Sequence, residues 1–340
     1  MKKHVLAAAA ALVCSATGAW AQSSVTVFGF LEAQVGRQTG QAPGTNMFDM
    51  GGSRLGFKGD EDLGGGMKAS FYLEHRFNPQ DGALANPDVF WKGGSWVGLS
   101  GEGLGSVKLG RWWSQSFLKA QYAADPFGMG TLGEGAYPTV GCGPAFTSIA
   151  GTPASACLGA FWVNNSVSYE NSFGPVSFGA QYSVNATPVT LATPLSDGKH
   201  PANFGVSYAA GPLYVGAGYE TSNDGSKDQH WASLAANYDF GAVKLYAGYG
   251  SGQDALKFKR KNVIVGFSAP VGPGAIIASY DVQNQDDVTG TSVRVEQLLS
   301  VGYKYNLSKR TNIFAVVAND SKAPTGTNKS GYALGVFHSF

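Results

Sequence analysis

Apolar and polar residues alternate with a period of two along most of this chain, the spacing that sends successive side chains to opposite faces of a β-strand. Val25, Val27, Leu31, Ala33 and Val35 share one face, while Thr26, Glu32 and Gln34 share the other. Leu55 and Phe57 oppose Arg54, Lys58 and Asp60. Met67, Ala69, Phe71 and Leu73 then oppose Lys68, Ser70, Glu74 and Arg76. The pattern returns in Val176–Val184, in Leu213–Glu220, in Val243–Tyr249 and in Val263–Phe267. Around Leu104–Trp113 it breaks, because parity puts Arg111 with Val107 and Leu109. Either that strand ends before Arg111 or a bulge re-aims the side chain.

The connections carry as much information as the strands. Short Gly-, Pro- or Asp-bearing turns fall at 59–66, 100–105, 171–175, 209–212, 239–242, 269–274 and 306–311. Longer polar linkers fall near 37–52, 77–92, 112–163, 184–203, 220–230, 250–261, 282–296 and 319–330. Short and long connections alternate strictly, which predicts about sixteen antiparallel strands, an even number within the range of outer-membrane barrels. Tyr332, Leu334, Val336, His338 and Phe340 alternate up to a terminal aromatic, as suits a closing strand whose last ring sits at a membrane interface. The expected fold is all-β: a transmembrane antiparallel barrel in one domain.

Composition agrees with that reading. Charged residues make up 14% of the chain, against roughly 25% in a typical soluble domain. Aromatics reach 12%, and mean hydropathy is −0.07. After the N-terminal stretch, no run of ~18 residues is apolar enough for a spanning helix. Met1-Lys2-Lys3, an apolar run from Val5 and the Ala19-Trp20-Ala21 site predict a signal peptide over 1–21, with the barrel over 22–340. Cys14 follows Val13, which is too bulky for the small residue expected before a lipid-attachment cysteine. Without Lys2 and Lys3 the 24 basic residues fall to 22 against 23 acids, a balance that points to no nucleic-acid partner.

Two cysteines remain after the signal, Cys142 and Cys157, both in the longest linker. The oxidising compartment favours a disulfide between them, and no His or third Cys in the linker suggests a metal. His75, His200, His230 and His338 lie far apart and belong to no recognisable nucleophile motif. Neither a phosphate loop nor a zinc pattern occurs. The sequence therefore suggests no enzyme and no cofactor.

Several blocks resemble the trimeric general porins of Gram-negative bacteria, in particular the beta-proteobacterial branch. They are SVTVFGFLE at Ser24–Glu32, GSRLGFKGDEDLGGGMK at Gly52–Lys68, VGLSG at Val97–Gly101 and GSVKLGR at Gly105–Arg111. NSVSY at Asn165–Tyr169, YDFGAVKLYAGYG at Tyr238–Gly250, NLSKRT at Asn306–Thr311 and the His338-Ser339-Phe340 ending complete the set, in order along the chain. The resemblance implies a homotrimer in the outer membrane, surrounded by lipid and lipopolysaccharide. It implies a water-filled pore in each subunit for ions and small hydrophilic solutes, and a third external loop folded into that pore. A substrate-selective channel is the nearest alternative; a surface adhesin is a more distant one.

A diffusion pore works through its width and the charges facing its water column. Arg54 matches the Gly-Ser-Arg arginine of the family, and Arg111 its Leu-Gly-Arg position. Lys58, Lys68, Glu74 and Arg76 project inward by parity, and Asp125 and Glu134 are the loop acids expected opposite. The plainer alternative makes all of these ordinary lumen residues in a solvated wall. Phe117, Phe127, Phe146, Phe161 and Trp162 in or beside the third loop are expected to form a packing cluster rather than a stacking platform for solute. Relatives often carry a basic residue where this chain has Gly93 and Gly94, and an arginine where it has Phe161-Trp162-Val163. Anion preference therefore does not transfer with the resemblance.

Overall fold

A computed structural model of the chain describes residues 24–128, 130–133, 140–142, 157–184, 200–223, 228–254 and 257–340. The signal segment, Glu134 and Phe146 lie outside the described residues. The first strands are β1 (Ser24–Arg37), β2 (Asn46–Phe48), β3 (Arg54–Gly64), β4 (Met67–Arg76), β5 (Gly94–Gly101) and β6 (Gly105–Trp113). Next come β7 (Trp162–Phe173), β8 (Val176–Ser183), β9 (Ala202–Ala210), β10 (Leu213–Asn223), β11 (Asp228–Asp239) and β12 (Lys244–Gln253). The last are β13 (Lys259–Val271), β14 (Gly274–Asp286), β15 (Ser292–Asn306), β16 (Thr311–Asp320) and β17 (Ser330–Ser339).

Each strand pairs antiparallel with its neighbours, and β1 meets β17 from Phe30↔Ser339 to Arg37↔Tyr332, which closes the sheet. Two of the seventeen strands share one place. β1 pairs with β2 through Gly36↔Asn46 and with β3 through Phe30↔Arg54, so β2 and β3 are one wall position interrupted at residues 49–53. The barrel therefore has sixteen positions.

The molecule is apolar outside and polar inside, as the alternation requires. Val25, Val27, Leu31 and Val35 are exposed on β1, whereas Glu32 and Gln34 between them are 3% and 0% exposed. Exposed aromatic side chains ring the short-turn end, among them Phe173, Tyr208, Tyr238, Phe240 and Phe340. Amphipathic rings favour that interfacial level in membrane barrels. The turns themselves are tight. Gly174 and Gly211 each take φ of 54° before Pro175 and Pro212, a positive value that matches the twist of a hairpin at its first corner.

Three expected linkers are shorter than the sequence suggests. The polar stretches near 220–230, 250–261 and 282–296 are mostly strand, leaving only 224–227, 254–258 and 287–291 as connections. Polarity on both faces marks the end of the lipid-facing band, not the end of the ladder, because backbone pairing continues into water. Local acids close the last two: Asp254 Oδ1 accepts from Phe258 N at 2.9 Å, and Asp287 Oδ1 accepts from Thr289 N and Thr291 N. Hydrogen bonds from the Thr289 side chain and then the Thr291 backbone hold the Asp287 carboxyl below its usual range.

The ambiguity at Arg111 resolves as a bulge. Register slips between Gly110↔Ser166 and Trp112↔Val163, so two residues of β7 face one of β6, with Asn165 at φ 49°.

The described parts of the third loop lie against the inner wall. Helix α1 (Gln115–Lys119) is capped by Ser114, whose Oγ accepts from Phe117 N at 3.0 Å. It rests on β8, β9 and β10, where Gln115 N donates to Asn203 Oδ1 at 2.7 Å. A 3₁₀ turn over Gln121–Ala124 follows along β10–β12. Pro126 meets β13 at Gly266 and Phe127 meets β15 at Gly302, positions where a Cβ would stand 2.7 and 3.2 Å from the loop side chains. Phe127 and Leu132 then join Phe48, Phe314, Val316 and Phe337 in an apolar cluster inside the barrel. The returning limb forms a short ribbon, Val140–Cys142 against 157–159, in which Cys142 and Cys157 are bonded. Arg260 NH1 holds this ribbon through Gly141 O at 2.6 Å, and Gln283 Nε2 through Cys142 O at 2.9 Å.

Candidate functional site: a charged wall facing the third loop

Arg54, Glu74 and Arg76 converge on the inner face of β3 and β4, because Arg54 and Arg76 are direct cross-strand partners and Glu74 stands two residues before Arg76. Glu74 Oε1 accepts from Arg76 Nε at 2.8 Å and lies 3.6 Å from Arg54 NH1. Arg54 is further fixed by donating to Gly51 O at 2.7 Å and Gly52 O at 3.1 Å, with its guanidinium 4.2 Å from the Phe30 ring. Arg76 packs between Trp113 and Trp162, at 5.2 and 4.8 Å from their ring centres. These planar cations stack on aromatic faces while their edges remain free to bond.

The interruption between β2 and β3 is what delivers Arg54's acceptors. Asp49 Oδ1 accepts from Gly52 N at 2.8 Å, and Glu32 Oε1 accepts from Gly51 N at 3.1 Å. Gly52 has φ of 68°, where a side chain would be strained. Gln34 bridges the interruption to the third loop, donating to Glu32 Oε1 at 2.7 Å and to Gly130 O at 3.1 Å. Sequence reasoning placed Glu32 on the lumen face but assigned it no role, and it missed Asp49. The Asp49-Met50-Gly51-Gly52 run was the available signal.

Arg111 reaches the same region from the bulge. Its Nε donates to Lys92 O at 3.0 Å, its NH1 bonds Asn164 Oδ1, and its guanidinium lies 5.4 Å from the Trp162 ring. Burial, then Arg76 and Arg111, lowers the affinity of the Lys92 ammonium for its proton. Lys58 and Lys68 lie elsewhere: both are exposed toward the short-turn end, across from Thr26 and Asp62. Asp125 is buried in the loop, accepting from Phe127 N at 2.9 Å.

The glycine at 93 has a local reason. A Cβ there would stand 1.7 Å from Glu74 Oε1, so the space a side chain would need is taken by the carboxylate between the arginines. The aromatic residues near the loop pack on one another: Trp113 lies 4.9 Å from Phe117 and 4.4 Å from Trp162, and Phe117 lies 5.1 Å from Phe161. Farther round the wall, Lys108 Nζ and Gln115 Nε2 both donate to Glu170 Oε1, at 2.8 and 2.9 Å.

A cavity of about 570 Å³ separates the charged wall from the loop. Phe30, Glu32 and Arg54 line one side; Phe117, Leu118, Tyr122 and Phe127 line the other. Among the described residues no His, Cys, Asp and Glu group is arranged to hold a metal.

The model for the family described as Gram-negative porin matches residues 7–323. Outer membrane porin protein 32 of Delftia acidovorans is 32% identical over 99% of this chain and 95% of its own length. An outer membrane porin of Bordetella pertussis is 28% identical over 93% of each. Among solved structures, an anion-selective porin from Comamonas acidovorans superposes with a TM-score of 0.74 at 27% identity, covering 94% of this chain and 100% of the other. With a closed barrel, a polar interior and a match along nearly its whole length, the chain belongs to the Gram-negative porins, outer-membrane channels for the passive diffusion of ions and small hydrophilic solutes.

Proposed function

We propose that the channel is narrowest between the Arg54–Glu74–Arg76 cluster and the third loop, and that this constriction favours small anions. The observation that carries the reading is that Arg54 and the loop residues Phe117, Leu118 and Tyr122 line the same cavity. Arg54 and Glu32 line this cavity; Arg76, Arg111 and Lys92 lie close by on the same wall, with Glu74 and Asp49 as its other carboxylates. Charge at a narrow, partly desolvated point acts on a passing ion more strongly than charge in a wide, salt-screened vestibule. The sign of the preference rests on the charges of this wall, four cations against three carboxylates, and not on the selectivity of relatives. The working form is a homotrimer, as in a porin from Vibrio cholerae described in trimer form.

Reversal potentials in a salt gradient test the proposal. Arg54→Ala should move the potential toward cation preference, with the effect shrinking as salt rises. Lys309→Ala, in the exposed turn between β15 and β16, should leave it unchanged. Equal small shifts in both variants would make Arg54 an ordinary wall residue. Unheated gel migration checks the trimer.

A further inference from the structure

Glu220 stands on the inner face of β10, 4% exposed, and among the described residues it makes no ion pair with Lys or Arg. A carboxylate taken out of water is costly unless its oxygens are bonded, and here they are divided between two distant parts of the chain. Oε1 accepts from Gln121 Nε2 at 2.6 Å, on the limb by which the third loop enters the barrel. Oε2 accepts from Ala160 N at 2.9 Å, on the limb by which it leaves. Gln121 Nε2 also donates to Ser116 Oγ at 3.0 Å, and Ser116 Oγ meets Ser233 Oγ of β11 at 3.2 Å. One side chain thus joins both limbs to the wall.

The backbone has been cleared for this contact. A Cβ on Gly159 would stand 2.4 Å from Glu220 Oε1, and one on Gly218 would stand 2.3 Å from Ser116 Oγ. Behind the entering limb, Cβ atoms on Gly205 and Gly216 would strike Gln115 O and Lys119 O at 2.1 and 1.8 Å. The limb is already pressed against the wall, so a released limb has room to move only toward the lumen.

We propose that Glu220 is the positioning residue that holds the third loop back against the wall and thereby sets the width of the open passage. This rests on the constriction proposed above. Glu220→Gln keeps the shape and one acceptor but presents an N–H₂ to one of two donors, so one limb loses its bond. In single-channel recordings of the full-length trimer, Glu220→Gln should lower the conductance and raise open-channel noise. Gln121→Ala, which frees only the entering limb, should do the same and carries the test if Glu220→Gln does not assemble. Asn262→Ala is the control: Asn262 is fully buried on the wall and, among the described residues, bonds only wall atoms, Asp281 Oδ1 and Val282 O. It should lower the temperature of trimer dissociation without changing conductance or noise.

Wild-type conductance and noise in assembled Glu220→Gln or Gln121→Ala would overturn the proposal. So would the same current change in Asn262→Ala, which would make the effect one of general barrel loosening. If Arg54→Ala shifts selectivity while the loop variants conduct normally, the constriction stands and the role of Glu220 falls. If neither Arg54→Ala nor the loop variants change the current, both fail.

Discussion

Two stretches of the inner wall handle buried charge in opposite ways. On β3 and β4, Glu74 is 1% exposed and lies between two guanidinium groups, each held by further acceptors or rings. On β14, Asp281 is 0% exposed, bonded by Asn262 Nδ2 at 2.8 Å, and the charges acting on it most strongly are the acids Glu296, Asp125 and Asp320. The first wall is ion-paired and faces the cavity. The second is held by neutral amides and is covered by the third loop, through Ser279 to Gly133 O and Gln283 to Cys142 O. A charged residue facing inward is therefore not automatically a pore residue. Whether the loop lies over it decides.

The comparison can be broken most directly at Glu74. Glu74→Gln leaves Arg54 and Arg76 facing each other without their shared carboxylate, and removing one member of a buried pair costs about 3–5 kcal/mol. The denaturant midpoint of the folded barrel should fall accordingly, and an unchanged midpoint would show that water already screens that wall. Gly93→Ala probes the same wall more gently, because its Cβ would displace the Glu74 carboxylate. Overpacking of this kind costs about 1–3 kcal/mol. A selectivity change should accompany it, since Glu74 and Arg54 move together. On the other wall, Asp281→Asn replaces a carboxylate that has no cationic partner among the described residues by an isosteric amide, which removes the cost of burying an uncompensated charge. Its midpoint should equal or exceed that of the wild type, and a large loss would show that Asp281 is paired after all.

The barrel was legible because its physics is one-dimensional. Parity along each strand separates lipid from lumen, and the alternation of turns and linkers counts the strands. The linkers near 250–261 and 282–296 misled because strands leaving the lipid lose their apolar face but keep their ladder. The site was only partly legible. Arg54, Glu74 and Arg76 follow from parity and cross-strand register, whereas Lys58 and Lys68 obey the same parity and yet stand near the turns. Parity reports the face and says nothing of height. Glu220 showed only as an inward polar residue near a linker; its meaning depends on Gln121 and Ala160, contacts that no local pattern encodes. Gly93 registered as a missing cation, and the carboxylate occupying its space explains why.

The seam between β1 and β17 governs more than shape. Phe30 must find Ser339, and Gly29 must exchange both backbone hydrogen bonds with Phe340, across nearly the full length of the chain. Contacts so distant in sequence close late and slowly, since the entropy of the intervening chain is lost before they form. Until then the sheet has two unpaired edges and an apolar face turned to water, a combination that invites association between chains. The hazardous interval in this protein's life is thus the time before closure. A variant that weakens only the seam should betray itself first as aggregation during assembly, while the channels that do close conduct normally.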